Sequence, residues 1–400
     1  MIVRPRSEYL AFGKPNFSSR EVAAVVRVLE SGWIGMGREV AAFEDELARA
    51  LGVSHVVTVN SCTSALFLAL KVLGIGEGDE VIVPSLTWCA TANAALYVGA
   101  TPVFCDVDRG TLSVSPGTVL SRLTSKTKAV IAVHFGGSPV DVEALRSKLP
   151  DRVAIVEDAA HAFGGRYPNG APVGASGNMV CFSFYANKNL STGEGGAIAV
   201  SDPARAARLS SLRQNAMSTN AWTRFTNAQT LAGGPLTELG YKMNYTDLQA
   251  CIGRIQLERQ AELDATRLAI ARRYHSVLEP LAACVTFQAD VLGPRHARHL
   301  FVVKLPVERM RVTRDEFLIA LRRQNIGASI HYAPLHYMPL YAGSTRGGLP
   351  NTEWLHQRIL SLPMSASMTL ADADDVLERV VALLPDNAGY DRMTGTPVEA

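Results

Sequence analysis

Three short segments of the chain contain the residue types that could bind a phosphorylated ligand and react with a carbonyl group. In the first, residues 57–66, an apolar run gives way to small and polar residues and then to a helical pattern. This order predicts a strand followed by a helix, and the unpaired N–H groups of a helix N-terminus suit an anion such as phosphate. Ordinary N-capping by Ser61 or Thr63 explains the same residues, so this motif alone leaves both interpretations open.

The other two segments supply an acid and an amine. In residues 154–162, an apolar strand leads to Asp158 and then to His161, and open α/β sheets bind ligands at the carboxyl ends of their strands. In residues 181–196, a second apolar strand leads to Lys188 and a glycine-rich turn. Burial lowers the pKa of a lysine and frees its amine for Schiff-base formation. The alternatives are an aspartate that caps the next segment, a histidine that packs in a turn and a lysine at the surface.

Taken together, these groups match the requirements of pyridoxal 5'-phosphate. This cofactor needs a phosphate cradle, a lysine for its aldehyde and an acid at its pyridine nitrogen. We therefore expect Thr63 at the phosphate, Lys188 at the aldehyde and as the group that moves the proton, and Asp158 at the ring nitrogen. Only eight lysines are present. The other seven are predicted in helices, turns, the N-terminal segment, the end of a loop or a later strand: Lys14, Lys71, Lys126, Lys128, Lys148, Lys242 and Lys304.

The composition excludes several other classes of protein. The 400 residues include 39 Lys+Arg and 37 Asp+Glu, and 48% of them are hydrophobic, which excludes a disordered chain. The near-zero net charge argues against a nucleic-acid partner. No signal-peptide pattern and no apolar run of about 18–20 residues occurs, which argues against a membrane protein. The six cysteines lack metal-ligand spacing, so we expect a reduced, cytoplasmic protein without a metal site.

The elements that must position the three segments follow an α/β pattern. Continuous apolar strands alternate with helices from residue 55 to about 200, which predicts a large, mostly parallel sheet sandwiched by helices. The strands are predicted at residues 55–59, 80–83, 102–105, 129–133, 154–156, 179–184 and 197–200. Before them, Ser18 and Glu21 form the capping-box pattern that starts a helix.

The rest of the chain is predicted to form a smaller α+β domain. A long loop is expected at residues 217–242, and one long helix from residue 246 to about 278 follows it. We therefore divide the chain into a cofactor-binding domain at residues 12–245, a linking helix with the smaller C-terminal domain at residues 246–386, and a frayed tail at residues 387–400.

Beyond these separate signals, the sequence resembles the DegT/DnrJ/EryC1/StrS family of pyridoxal-phosphate sugar aminotransferases, which have the aspartate-aminotransferase type of fold. The resemblance extends from residue 12 to about residue 385. The motifs that carry it are residues 32–34, 43–44, 60–66, 78–84, 157–162, 183–196, 240–245 and 331–336. It implies pyridoxal 5'-phosphate as the cofactor and pyridoxamine phosphate as its intermediate form.

The resemblance also implies which residues bind the phosphate. Cys62 and Thr63 would contact it through backbone or hydroxyl groups, and Ser183 would add a second hydroxyl. Asn244 would reach the phosphate from the other subunit, which implies a homodimer with shared active sites. The family often has Gly or Ala where this chain has Cys62, and a small residue at this position preserves the turn.

Two further roles follow from the resemblance. Trp88 would stack on the pyridine ring; taken without the family, it is ambiguous with a core aromatic residue. His161 would lie near the phenolic oxygen of the cofactor or near the substrate. Family members that dehydrate sugars carry histidine in place of the lysine, so the presence of Lys188 favours transamination.

The expected activity is a ping-pong aminotransferase in which Lys188 is the general acid–base. L-Glutamate or a similar donor would supply the amino group, and a keto sugar nucleotide would receive it. A 4-keto-6-deoxyhexose is preferred because of His161, since members that act at C3 often carry glutamine there. Two alternatives remain: an aminotransferase for a cyclitol ketone or an aminohydroxybenzoate-type synthase on the same scaffold, and a non-catalytic regulatory protein that binds the cofactor.

Overall fold

The computed structural model describes residues 4–217, 222, 226, 236, 238–281 and 285–384. The strands within these residues are β1 (His55–Val59), β2 (Glu80–Pro84), β3 (Thr101–Cys105), β4 (Thr127–Val133), β5 (Ala154–Asp158), β6 (Met179–Ser183), β7 (Gly196–Val200), β8 (Thr286–Phe287), β9 (Phe301–Lys304) and β10 (Ile359–Leu362). The α-helices are α1 (Ser19–Glu30), α2 (Arg38–Leu51), α3 (Cys62–Val72), α4 (Cys89–Tyr97), α5 (Pro116–Leu120), α6 (Val142–Arg146), α7 (Pro203–Leu212), α8 (Asp247–Glu258), α9 (Gln260–Leu278), α10 (Arg314–Arg323), α11 (Pro350–His356) and α12 (Leu370–Leu383). Short 3₁₀ helices occupy Phe135–Gly137, Glu279–Leu281, Val307–Arg309, Leu335–Tyr337 and Pro339–Tyr341.

The first seven strands form one sheet in the order β1-β7-β6-β5-β4-β2-β3. Strands β2 to β6 run parallel to their neighbours within this group, whereas β7 is antiparallel to both β6 and β1. The predicted mostly parallel sheet is therefore confirmed, and each predicted strand is present with its ends shifted by at most two residues. The predicted capping box at the start of α1 is also present.

Alternate residues of the strands pack on opposite faces of this sheet. Val130 lies in the core that includes α2 and α6, whereas the neighbouring Ile131 lies in the core that includes α3 and α4. Burial on both faces explains why the strands read as continuous apolar runs. The same alternation places Asp158 on the α3 and α4 face and its neighbour Glu157 on the other face.

The smaller sheet has the order β10-β9-β8 and is antiparallel. The prediction of one long helix over residues 246–278 is wrong, because Arg259 leaves helical geometry with φ −89° and ψ 0° and separates α8 from α9. Its guanidinium is buried and donates to Glu21 Oε1 at 2.7 Å and to Asn16 Oδ1 at 2.6 Å. The break lets α8 pack on α1 and α2 while α9 packs on α12.

The domain boundaries stay predictions. Helix α8 follows the predicted boundary at residue 245, yet its Asp247 carboxylate accepts hydrogen bonds from Gly37 N at 2.8 Å and Val40 N at 3.0 Å, at the start of α2. The predicted loop at residues 217–242 lies largely outside the described residues, and the predicted tail lies wholly outside them. No helix in the described part of the chain has the length and apolar character needed to cross a bilayer.

Candidate active site

A cavity of about 440 Å³ opens at the carboxyl ends of the parallel strands. Strands β4, β5 and β6 end at its wall with Val133, Asp158 and Ser183. The full lining is Ser61, Cys62, Thr63, Leu66, Thr87, Trp88, Ala90, Val133, Asp158, Ala160, His161, Ser183, Tyr185, Asn187, Lys188, Glu194, His331 and Tyr332. The cavity therefore brings together every residue predicted for the site except Asn244.

The N-terminus of α3 forms one side of the cavity. Ser61 caps the helix and accepts a hydrogen bond from Ser64 N at 3.1 Å, so the capping predicted as the alternative interpretation is also present. The cap leaves the N–H groups of Cys62 and Thr63 without an acceptor among the described residues. Two free N–H groups at a helix N-terminus can receive a phosphate.

Strand β7 approaches this helix start so closely that only glycine fits. A Cβ atom on Gly196 would lie 2.6 Å from Cys62 N. On the same side, the Ser183 hydroxyl lines the cavity and accepts a hydrogen bond from Tyr185 N at 3.4 Å, which leaves its proton available to a ligand. These groups fit the phosphate of pyridoxal phosphate.

Asp158 is buried at the end of β5 and is held from two sides. Its Oδ2 accepts a hydrogen bond from Thr91 Oγ1 at 2.8 Å, and its Oδ1 accepts one from Ala160 N at 3.2 Å. Burial raises the pKa of the Asp158 carboxyl above its ordinary value, although these hydrogen bonds and the charge of Lys188 act in the opposite direction. A cationic nitrogen placed against Asp158 would stabilise the ionised carboxylate.

Lys188 lies in the turn after β6, partly buried against the cavity. Burial lowers the pKa of its amine from 10.5 to about 8, although Cys62 and Asp158 oppose this shift. None of the described residues accepts a hydrogen bond from Lys188 Nζ. The amine is therefore free to react with an aldehyde, and both its protonated and neutral forms are populated near neutral pH.

His161 is also buried at the cavity, and both of its ring nitrogens are engaged. Nδ1 accepts a hydrogen bond from Gly136 N at 3.3 Å, and Nε2 lies 3.1 Å from the Tyr332 hydroxyl. Burial lowers the pKa of the imidazole well below its ordinary value, and the charge of Lys188 adds to this effect. His161 is therefore neutral at physiological pH.

Tyr332 and Thr91 bond to His161 and Asp158 and had no assigned role in the sequence analysis. Tyr332 lies in the quoted motif at residues 331–336, which was the available signal. Thr91 had no signal in the sequence, because a threonine near the start of a helix is common. In the structure it is fully buried, and its hydroxyl oxygen lies 3.0 Å from the hydroxyl oxygen of Thr87. Since the Thr91 proton is directed to Asp158, Thr87 is the donor of that pair.

Of the two remaining predicted residues, Trp88 lines the cavity and Asn244 does not. Trp88 precedes α4, lines the cavity and remains 60% exposed, so its face is available to a ligand. Asn244 does not line the cavity of its own chain, and its Nδ2 donates to Tyr245 O at 3.3 Å. Its contact with the phosphate of another subunit stays a prediction. The described residues contain no cluster of three or more side chains suited to a metal ion.

Comparisons with known proteins give matches along nearly the whole chain. The model of the DegT/DnrJ/EryC1/StrS aminotransferase family matches residues 15–381. The spore coat polysaccharide biosynthesis protein SpsC of Bacillus subtilis is 41% identical over 388 residues, which cover 95% of this chain and 98% of that protein.

Solved structures also match nearly the whole chain. DesV of S. venezuelae, solved with a ketimine intermediate, is 36% identical with a TM-score of 0.80 and covers 90% of this chain and 93% of its own. Spr1654 of Streptococcus pneumoniae, in its PMP form, is 28% identical with a TM-score of 0.85, and the match covers 93% of this chain and 98% of the Spr1654 chain.

Proposed function

Since the chain belongs to the DegT/DnrJ/EryC1/StrS aminotransferase family and is a pyridoxal-phosphate-dependent aminotransferase, we propose that it transfers an amino group from L-glutamate to a keto sugar nucleotide. The family, the aspartate-aminotransferase type of fold and the enzyme class predicted from the sequence are thereby confirmed. The observation that carries the proposal is one cavity that holds a free, weakly basic Lys188 amine, the buried Asp158 carboxylate and the open N–H groups of α3.

The residues of the cavity divide the binding of the cofactor among them. Cys62 N, Thr63 N and the Ser183 hydroxyl would hold the phosphate, Trp88 would cover the ring, and Asp158 would pair with the ring nitrogen. Bound in this way, pyridoxal phosphate supplies an electron sink for the carbon that gains or loses the amino group.

Lys188 has two tasks in this scheme. Its Nζ would hold the aldehyde carbon of the cofactor covalently before the donor arrives. Once displaced, the amine would take a proton from a substrate carbon and return it, and a pKa of about 8 suits transfer in both directions near neutral pH. Asp158 would keep its negative charge against the ring nitrogen of the cofactor, so its part would be electrostatic.

The choice of acceptor rests on two observations. SpsC, at 41% identity, is a protein of polysaccharide biosynthesis, which favours a sugar acceptor over a cyclitol. Among the sugars, we propose a 4-keto-6-deoxyhexose because His161 stands at the position where glutamine is expected for amination at C3. We propose the cytoplasm as the location, where sugar nucleotides would be available.

A panel of acceptors tests this function. The purified protein, converted to its pyridoxamine form with L-glutamate, is offered 3-keto and 4-keto sugar nucleotides and cyclitol ketones, and the return of the visible absorbance is followed. Return with a 4-keto sugar nucleotide supports the proposal. Return only with a cyclitol ketone reassigns the acceptor, and no response of the absorbance to any amino donor would favour a regulatory protein. Lys188→Ala is the control, because it removes the amine.

We also propose that two copies share their active sites. Trp88 and Tyr185 line the cavity, yet 60% and 47% of their surfaces are exposed, and such aromatic exposure at a cavity favours cover by a second chain. If Asn244 acts across the interface, mixing Lys188→Ala with Asn244→Ala protein restores one complete site per hybrid dimer. Activity should then recover to about a quarter of the wild-type level. No recovery after verified subunit exchange would place Asn244 outside the partner's site.

A further inference from the structure

The hydrogen bonds at His161 run in one direction only. A backbone N–H can only donate, so the bond from Gly136 N makes His161 Nδ1 an acceptor without a proton. The single proton of the neutral ring is then on Nε2, which donates to the Tyr332 oxygen 3.1 Å away. A second proton on His161 would face the Gly136 N–H, so the ring is not available as an acid–base group.

This direction determines what Tyr332 offers to a ligand. Its oxygen already accepts the proton of His161 Nε2, and no other described residue is bonded to its hydroxyl. Tyr332 lines the same cavity as Lys188 and is partly exposed there. Burial raises the pKa of the phenol well above its ordinary value, so the hydroxyl keeps its proton. The Tyr332 O–H is therefore a hydrogen-bond donor directed to the contents of the cavity.

We propose that Tyr332 is the residue that binds the ketone oxygen of the acceptor through its O–H group, and that His161 is a positioning residue that orients Tyr332. The proposal rests on the proposed function, which supplies the ketone. It assigns a contact with substrate to Tyr332 and removes the predicted catalytic role from His161.

The rings around the pair support a positioning role. The His299 ring packs at 4.4 Å from the His161 ring, and the Trp88 ring lies 5.6 Å from the Tyr332 ring. The Tyr332 hydroxyl is thus restrained by its hydrogen bond and by the packing on either side. A restrained donor is effective at an oxygen that gains negative charge as the reaction proceeds.

The polarity of Tyr332 also predicts which ligand it favours. A ketone oxygen accepts a hydrogen bond, whereas the protonated amino group of the product has only donors. Tyr332 should therefore strengthen the binding of the keto acceptor and leave the binding of the amino product unchanged. A group with a purely structural role would affect both ligands alike.

Calorimetry on the Tyr332→Phe variant tests this prediction. The keto acceptor is titrated into the pyridoxal form and the amino product into the pyridoxamine form, since neither pair turns over. We expect affinity for the ketone to fall about tenfold and affinity for the product to change less than about twofold. Tyr337→Phe is the matched control, because Tyr337 lies five residues away, is exposed and does not line the cavity. Equal losses for both ligands, or none for the ketone, would overturn the assignment.

Substitutions at His161 separate positioning from acid–base catalysis. The glutamine side chain has an acceptor oxygen and a donor NH2 group and does not titrate, whereas the leucine side chain has no hydrogen-bonding group. If His161 positions Tyr332, His161→Gln should keep kcat/KM for the ketone within about fivefold, and His161→Leu should lose as much as Tyr332→Phe. The double variant His161→Leu with Tyr332→Phe should lose no more than either single variant. An equal collapse of the Gln and Leu variants, or additive losses, would make His161 a catalyst in its own right.

The two hypotheses fail in different ways. If no keto sugar nucleotide reacts with the wild-type protein, the proposed function is wrong. If the wild-type protein converts the ketone and Tyr332→Phe converts it equally well, the function stands and the role of Tyr332 is wrong.

Discussion

The hydrogen bond from Thr91 to Asp158 yields a quantitative prediction for the variant Thr91→Val. This change keeps the shape of the buried side chain and removes only the hydroxyl that donates to Asp158 Oδ2 at 2.8 Å. A hydrogen bond to a charged group contributes about 1.5–3 kcal/mol. One pKa unit corresponds to about 1.4 kcal/mol. The pKa of Asp158, already raised by burial, should therefore rise by about 1–2 further units in this variant.

The assay measures affinity for pyridoxal phosphate between pH 5 and pH 8 through the visible absorbance. Affinity should fall as the pH drops, because a protonated Asp158 no longer stabilises the charged ring nitrogen. In Thr91→Val the midpoint of this fall should lie about 1–2 pH units higher than in the wild type. Thr91→Ser is the matched control, since it keeps the hydroxyl and should keep the wild-type midpoint.

A cofactor analogue with carbon in place of the ring nitrogen distinguishes this effect from a general loss of structure. It cannot pair with Asp158, so its affinity should be the same for wild type and Thr91→Val at every pH. The reasoning is refuted if the midpoint does not move, or if the analogue loses affinity as strongly as pyridoxal phosphate does.

Three further predictions concern Lys188, Gly196 and Glu157. Burial lowers the pKa of Lys188 from 10.5 to about 8. Between these two pH values the folded cofactor-free protein binds fewer protons than the unfolded chain, so the free energy of unfolding of the wild type increases by about 3 kcal/mol as the pH rises from 8 to 10.5. Lys188→Met should therefore resist urea better than wild type at pH 7 and lose that advantage by pH 10.5; a constant difference contradicts the pKa shift. Gly196→Ala places a methyl group 2.6 Å from Cys62 N, so titration should show at least about a tenfold loss of affinity for pyridoxal phosphate, and an unchanged affinity would exclude the cradle at α3. The buried Glu157 carboxylate accepts hydrogen bonds from His134 Nε2 at 2.8 Å and Tyr167 OH at 2.6 Å. Glu157→Gln removes the charge and places an NH2 group among these donors, so urea unfolding should show a free energy of unfolding lower by about 3–5 kcal/mol. A decrease below about 1 kcal/mol would contradict a charged Glu157.

The sequence predicts the large sheet and three of the groups at its edge because those signals are local. Apolar runs buried on both faces identify the strands, and Thr63, Asp158 and Lys188 each follow a predicted strand within four residues. The ends of parallel strands meet at one edge, so residues 30 positions apart in the chain come to line one cavity. This part of the site can therefore be predicted from the sequence without knowledge of side-chain contacts or of a second subunit.

The features that the sequence does not predict depend on contacts between distant segments. Arg259 has good helix propensity, and its contacts with the distant Glu21 and Asn16 accompany the break between α8 and α9. Tyr332 enters the cavity from a segment that follows β9, and its donor direction depends on Gly136 N and His161. An apolar run likewise carries no information on strand direction, which is why the antiparallel β7 was not foreseen.

The place of β7 in the sheet links cofactor binding to the progress of protein synthesis. β1 leads into the N-terminus of α3. Within the described residues it pairs only with β7, where Val59 lies opposite Gly196. The end of β1 therefore has no strand partner until Gly196 has been synthesised. A growing chain that has emerged from the ribosome only as far as Lys188 already has the amine and the acid, yet β1 still lacks a neighbour to hold it. Long-range pairings of this kind form late in folding. The phosphate cradle should therefore form only after β7 has been synthesised, and a chain halted before β7 should release pyridoxal phosphate readily.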